Sequence, residues 1–284
     1  MRLGYNTNGL CHHDLVQAVE LLGQIGYQSV AITVDHGALD PFRDGWARQA
    51  DEVRRVLQRF DMQCVVETGA RFLLDPRIKH EPTLVTADAE GRRRRIDFLA
   101  HCMEVARRLG SDCVSCWSGI LHDEVPAETG FDRLEHALGQ VLQRAAERDV
   151  RIAFEPEPGM LIDTMQQYAR LVERMGDPRL VLTMDIGHLH CQRETPIEDQ
   201  IHRWASRLVN VHIEDMRTGV HEHLMFGEGE VDFPPVIAAL HAVGYAGGVH
   251  VELSRHSHEG PAAARRAYEF LRPLIDSATD LPIG

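Results

Sequence analysis

Short apolar runs alternate with longer amphipathic stretches along nearly the whole chain. Residues 3–6, 29–34, 63–67 and 113–117 read as strands. Each is followed by a segment whose apolar positions recur at helical spacing, at 14–25, 46–60, 92–109 and 131–148. The second half repeats the rhythm, with strands expected at 151–155, 180–185, 208–213 and 248–253 and helices at 165–175, 197–207, 235–243 and 261–275. Strands that alternate with helices pair in parallel, because parallel neighbours need a crossover. Eight such units in order predict an α/β fold, a single (β/α)8 barrel with its active site at the carboxyl ends of the strands. An open doubly wound sheet is the alternative, but neither GxGxxG nor GxxxxGK[ST] occurs to support a nucleotide-binding version of it. Gly26, Gly110, Gly176 and Gly244 each follow a predicted helix, where glycine terminates one readily. The barrel is expected to occupy residues 1–278, followed by a short tail at 279–284. The longest irregular stretch, about residues 68–90, has the length of a loop that caps an active site or moves.

The last four predicted strands end alike. They read Ile152-Ala153-Phe154-Glu155, Leu182-Thr183-Met184-Asp185, Val209-Asn210-Val211-His212 and Val249-His250-Val251-Glu252. Side chains alternate faces along a strand. The residues just before each end (Phe154, Met184, Val211, Val251) are large and apolar, suited to packing under outer helices. Those two before (Ala153, Thr183, Asn210, His250) are small or polar, suited to the barrel interior. Glu155, Asp185, His212 and Glu252 are therefore expected to converge on the top of the barrel axis. Three carboxylates brought together without a cation repel one another. One divalent ion, Mn, Mg, Co or Zn, resolves that repulsion with a mixed oxygen and nitrogen shell.

Composition narrows the partners. The formal net charge of −13, from 30 Lys plus Arg against 43 Asp plus Glu, repels a phosphate backbone and argues against nucleic acid. It suits cations and neutral polar substrates. No basic-then-apolar leader pattern opens the chain, and no apolar run approaches the ~18 residues of a membrane span. The six cysteines, at 11, 64, 102, 113, 116 and 191, do not form a disulfide framework, so a cytoplasmic location is expected. Cys113 and Cys116 form a CxxC on a predicted strand, where positions three apart face opposite sides, so the pair is expected to be structural. The run Arg92 to Arg95 lacks interleaved aromatics and is read as a solvated face or a contact in a homo-oligomer.

The runs Phe154-Glu155-Pro156, Met184-Asp185-Ile186-Gly187-His188-Leu189, Val211-His212-Ile213-Glu214-Asp215 and Val251-Glu252-Leu253 resemble the xylose isomerase-like barrel superfamily. So does the stretch from His223 to Phe233. That group includes sugar isomerases, ketose 3-epimerases, inosose dehydratases and endonuclease IV. The resemblance implies one divalent ion on Glu155, Asp185, His212 and Glu252, with Glu155 and Glu252 also acting as an acid/base pair. It implies that Arg217 and His223 contact substrate, and that His188 contacts either a substrate oxygen or a further metal; Glu157 shares strand parity with Glu155 and is expected to reach substrate hydroxyls. His221 and His223 are similar to the Asp-x-His of trinuclear zinc nucleases, with His221 departing from the Asp. Trp117 ends the fourth strand and is suited to stacking on a sugar face. His12, His13, Asp35, His36, Glu67, Arg71 and His80 follow the earlier strands, where structural and functional readings balance.

The function expected is isomerisation or epimerisation of a sugar or polyol, by proton abstraction and a metal-stabilised enediolate. A lyase or dehydratase of a cyclic ketone-polyol begins with the same proton abstraction and is the alternative. An endonuclease IV-like nuclease needs metal-binding histidines where the third and fourth strands end in Glu67 and Trp117, and so ranks lower. A non-catalytic binding barrel is the remaining reading, because fold alone does not establish function. The acidic run Gly227-Glu228-Gly229-Glu230 disfavours a phosphorylated substrate, with Arg255 as a counterweight, so an uncharged sugar or polyol is expected.

Overall fold

The computed structural model describes residues 1–279. The expected tail at 279–284 lies outside them apart from Thr279, where the last helix ends. The strands are β1 (Arg2–Asn6), β2 (Ser29–Thr33), β3 (Gln63–Glu67), β4 (Val114–Cys116), β5 (Ile152–Phe154), β6 (Leu180–Asp185), β7 (Leu208–Ile213), β8 (Asp215–Arg217), β9 (Val220–Leu224) and β10 (Gly248–Val251). All but β8 and β9 form one closed parallel barrel, in which β10 lies between β7 and β1. The seam closes with Arg2 opposite Gly248 and Tyr5 opposite Val251.

Helices α1 (Leu15–Ile25), α2 (Trp46–Phe60), α3 (Ala89–Leu109), α4 (Ala127–Ala146), α5 (Met165–Met175), α6 (Ile186–Cys191), α7 (Ile197–Trp204), α8 (Phe233–Ala242) and α9 (Gly260–Thr279) connect the strands. Their starts and stops follow local chemistry. The Asp14 side chain accepts from the Val16 and Gln17 amides at the head of α1, and Asp88 accepts from Gly91 at the head of α3. Gly26 and Gly110 end α1 and α3 at φ 114° and 75°, a region that costs a side-chain-bearing residue strain.

The parity expected from sequence holds. Phe154, Met184, Val211 and Val251 are fully buried in the shell between strands and helices. Inside the barrel, Ala31, Val65, Cys113 and Ala153 form a separate small apolar cluster. Cys113 thus faces inward while Cys116 joins the outer core, and all six cysteines are free. Burial pushes the Cys116 thiol up to about 12, so neither it nor the deeper Cys113 is a ready thiolate.

The structure departs from expectation in three places. Helix α6 starts directly after β6, because Asp185 caps it by accepting from the His188 amide at 2.8 Å. An antiparallel hairpin, β8 with β9, stands between β7 and α8 where a loop was expected. The arginine run is a solvated face only in part. Arg95 is buried, donates to the carbonyls of Pro82 (2.8 Å), Thr68 (2.9 Å) and His80 (2.6 Å), and lies 4.6 Å from the Trp117 ring centroid. Half-buried Arg92 donates to Ala87 O at 2.8 Å and Arg94 to Leu74 O, while Arg93, exposed like Arg94, lies beside Glu90. The run therefore pins the long loop after β3. Among the described residues no helix is long and apolar enough to cross a membrane.

Candidate active site

The carboxyl ends of β5, β6, β7 and β10 bring Glu155, Asp185, His212 and Glu252 together, each offering one ligand atom within 4.8 Å of the others. His212 is the hub. Its Nδ1 lies 2.9 Å from Glu155 Oε1, 3.0 Å from Glu252 Oε2 and 3.9 Å from Asp185 Oδ2. Its Nε2 lies 2.9 Å from Glu67 Oε1. With Nε2 held by Glu67, Nδ1 faces the three carboxylates. An imidazole oriented in this way by a carboxylate on its other nitrogen is the usual arrangement of a metal-binding histidine.

Glu67 is itself tied into a polar column that descends the barrel. Asn210 donates to Glu67 Oε1 at 3.0 Å, and its amide oxygen lies 2.8 Å from His250 Nδ1. His250 Nε2 is 2.8 Å from Ser29 Oγ. Glycine makes this column possible, since a Cβ at Gly4 or Gly248 would fall 2.3 or 2.2 Å from the His250 ring. Above the column, the Asn8 amide donates to Glu252 Oε1 at 2.8 Å.

Electrostatics are set by burying several acids around one imidazole. Burial alone would push His212 down, but Glu155, Glu67 and Glu252 outweigh it and hold the ring charged well above its usual range. Burial pushes Glu155 up to about 8, against the pull of His212. For Glu252 burial acts the same way, but His212 overrides it and holds the carboxyl below the usual carboxylate range. Asp185 is likewise lowered, by His188 and His212 against its burial. Its Oδ2 is buried without a hydrogen-bond partner. A buried orphaned carboxylate oxygen, convergent carboxylates and an imidazole oriented from behind fit a divalent cation.

A cavity of about 240 Å³ opens above this centre. Of the sequence-predicted contacts, Glu157, His223 and Trp117 line it. Trp117 is buried and stacks on His80 at 5.3 Å between centroids, so it borders the cavity rather than standing open to a ligand. His188 is buried beside the cavity, with Nε2 3.6 Å from Asp185 Oδ2 and 3.1 Å from His221 Nε2. His188, His221 and His223 converge closely enough to hold an ion of their own. Arg217 is not brought to the cavity; its exposed side chain donates to Glu228 O at 3.1 Å, because β8 carries it outward along the hairpin.

Sequence reading left Glu67 without a role and did not single out Asn8 or Glu214. Glu214 is fully buried, with His223 Nδ1 3.8 Å from its Oε1. Burial first, then Asp185 and Glu252, push its carboxyl well above the usual range. Gly187 is what admits it, since a Cβ there would lie 2.1 Å from Glu214 Oε1.

A closed parallel barrel whose strand ends gather a buried carboxylate–imidazole centre defines the protein as a (β/α)8 barrel with a candidate metal centre. Residues 19–274 match the family described as xylose isomerase-like TIM barrel, and the chain belongs to that family. The chain is similar to L-ribulose-5-phosphate 3-epimerase UlaE of Shigella flexneri serotype 5b, 25% identical over 252 residues that cover 87% of this chain and 85% of the relative. Its fold is similar to that of an L-ribulose 3-epimerase, with a TM-score of 0.77 at 21% identity covering 98% and 96% of the two chains. It is also similar to that of the IOLI protein, whose crystal structure holds a zinc atom, with a TM-score of 0.79 at 19% identity covering 99% and 100%.

Proposed function

We propose that this protein is a divalent-metal-dependent epimerase or isomerase of a sugar or polyol ketone. The observation that carries the reading is the His212 hub, with Nδ1 among three carboxylates and Nε2 held by Glu67. Glu155, Asp185, His212 and Glu252 would hold the ion. When bound, it would supply positive charge to a substrate carbonyl and so acidify the neighbouring C–H. The chain's own groups do the rest. Glu155 and Glu252, just after β5 and β10, would take the proton and return one on the opposite face of the carbon, as epimerisation requires. Asn8 fixes the Glu252 carboxylate through its amide. Glu157 and His223 line the cavity where substrate hydroxyls would lie.

The cavity rim supports an uncharged sugar, because its arginines are already compensated. Arg71 faces Asp35 at 3.8 Å and Arg255 faces Glu222 at 3.4 Å, while Lys79 is exposed at the edge. The curated relatives are named for a phosphorylated ketose, so both substrate forms belong in the test. Dehydration of a cyclic ketone-polyol begins with the same proton abstraction and is distinguished by its product. Occupation of Glu67 by His212 and Asn210 leaves it no part in a nuclease-type metal cluster.

The test is a screen of chain loaded with Mn, Mg, Co or Zn against ketoses, ketose phosphates and inososes, with products resolved by NMR. The expected result is an epimerised or isomerised product, lost with a chelator and reduced at least ~100-fold in Glu155→Gln and in Glu252→Gln. One bound ion per chain with no product from any substrate would refute the reading.

A further inference from the structure

A second recess opens beside the catalytic cavity, between the turn after β1 and the turn after β2. Its volume, about 590 Å³, is more than twice the 240 Å³ of the inner cavity. Ligand pockets for drug-sized molecules run from ~300 to 1,000 Å³, so the inner cavity is small and the recess is ample. The two share Asn8, Thr33 and Arg71 as a common wall. Arg71 donates to the Asn8 carbonyl at 2.9 Å, and the Asn8 side chain reaches Glu252 Oε1. One residue thus touches both the recess and the catalytic centre.

We propose that this recess is a subsite for a second, uncharged sugar ring or comparable hydroxylated group, so that the preferred substrate is a ketose glycosylated on a hydroxyl away from its free carbonyl rather than an unsubstituted ketose. The proposal rests on the epimerase or isomerase reading above and adds the substrate class. The lining supplies what such a ring needs. Leu10, Leu15 and Ala18 form a buried apolar floor, and Phe72 is 44% exposed, a large ring open to solvent. Aromatic faces of this kind pack against the C–H face of a sugar. Asn8, His12, His13 and His36 also line it and supply polar side chains for hydroxyl groups. An anion is a poor fit. Asp14 and Asp35 line the recess too, and the one arginine there is committed to Asn8 O and Asp35.

The test uses the ion-loaded protein and three probes: D-fructose, the neutral glucosyl-fructose isomaltulose, and D-fructose 6-phosphate. C–H exchange into deuterium oxide gives relative kcat/KM, and calorimetry gives binding independently of turnover. The expected result is at least a tenfold preference for isomaltulose over D-fructose in both readouts. Phe72→Ala and the recess-filling Ala38→Trp should each abolish the preference while leaving D-fructose exchange unchanged. Phe72 is exposed, so its variant is expected to fold even if Ala38→Trp does not. Equal handling of isomaltulose and D-fructose, unchanged in Phe72→Ala, would overturn the subsite and leave the epimerase reading standing. A preference for the phosphate over isomaltulose would overturn the uncharged class. Absence of exchange on every probe counts against the epimerase reading, and isomaltulose binding then decides the subsite alone.

Discussion

Glu67 offers the sharpest test of how the centre is assembled. It touches His212 from behind, 2.9 Å from Nε2, and accepts from Asn210 at the same oxygen. Replacing a carboxylate that orients a metal-binding imidazole typically weakens metal affinity 10–100-fold, or ~1.4–2.7 kcal/mol. Two substitutions should divide that range. Glu67→Gln keeps an oxygen for the His212 and Asn210 donors but loses the charge, so it should weaken Mn binding by about tenfold. Glu67→Leu removes the acceptor too and frees the ring to turn, so it should approach ~100-fold. Both are measured by calorimetric titration of chelator-treated protein, with circular dichroism melts to confirm folding. Wild-type affinity in Glu67→Leu would refute the claim that Glu67 sets the His212 ring. A Glu67→Gln loss as large as that of Glu67→Leu would show that charge rather than orientation is what Glu67 contributes.

Two further outcomes follow from groups outside the centre. Arg95→Leu strips the carbonyls of Thr68, His80 and Pro82 of a buried charged donor. It should cost about 3 kcal/mol or more, lower Tm by roughly 6–12 °C and speed protease cleavage of the loop before α3; an unchanged Tm and cleavage rate would contradict this. His80 is held down to about 3 by its burial and then by Lys79, against an ordinary value of 6.5. Its unfolded form therefore gains a proton below pH 6.5 that its folded form refuses, so its contribution is full above that pH and is lost as pH falls toward 3. Urea unfolding of metal-free protein should accordingly show the stability gap between wild type and His80→Asn shrinking from pH 7 to pH 4, by at most about 1.4 kcal/mol per pH unit. A gap constant with pH would be inconsistent with a neutral buried ring.

What the chain reveals without a structure follows from where its information is local. The convergence of Glu155, Asp185, His212 and Glu252 was legible because a strand's alternation fixes which residues point inward, and that needs only neighbours in sequence. Glu67 has the same strand-end position, yet its partner depends on how β3 and β7 face each other across the closed barrel. The hairpin of β8 and β9 was illegible because its strands are short, Asp215-Met216-Arg217 and Val220-His221-Glu222-His223-Leu224, and offer too few apolar positions to set an alternation. That hairpin also explains why Arg217 stands outside the cavity. Within the Arg92–Arg95 run, only Arg95 departs from a solvated face, and the sequence carries a signal for it. Gly91, Arg95, Ile96, Leu99 and Cys102 are all buried on α3, a helical spacing that places one arginine of the run on the inner face.

The centre at the ends of β5, β6, β7 and β10 is proposed to remove a proton from carbon. The most direct measurement is NMR of a ketose panel in deuterium oxide with Mn- or Co-loaded protein, following the signal of the C–H beside the carbonyl. That signal is expected to disappear, dependent on the ion and not in Glu252→Gln, even on substrates that give no net product. Retention of every such signal, with one ion per chain bound to the wild type, would contradict it.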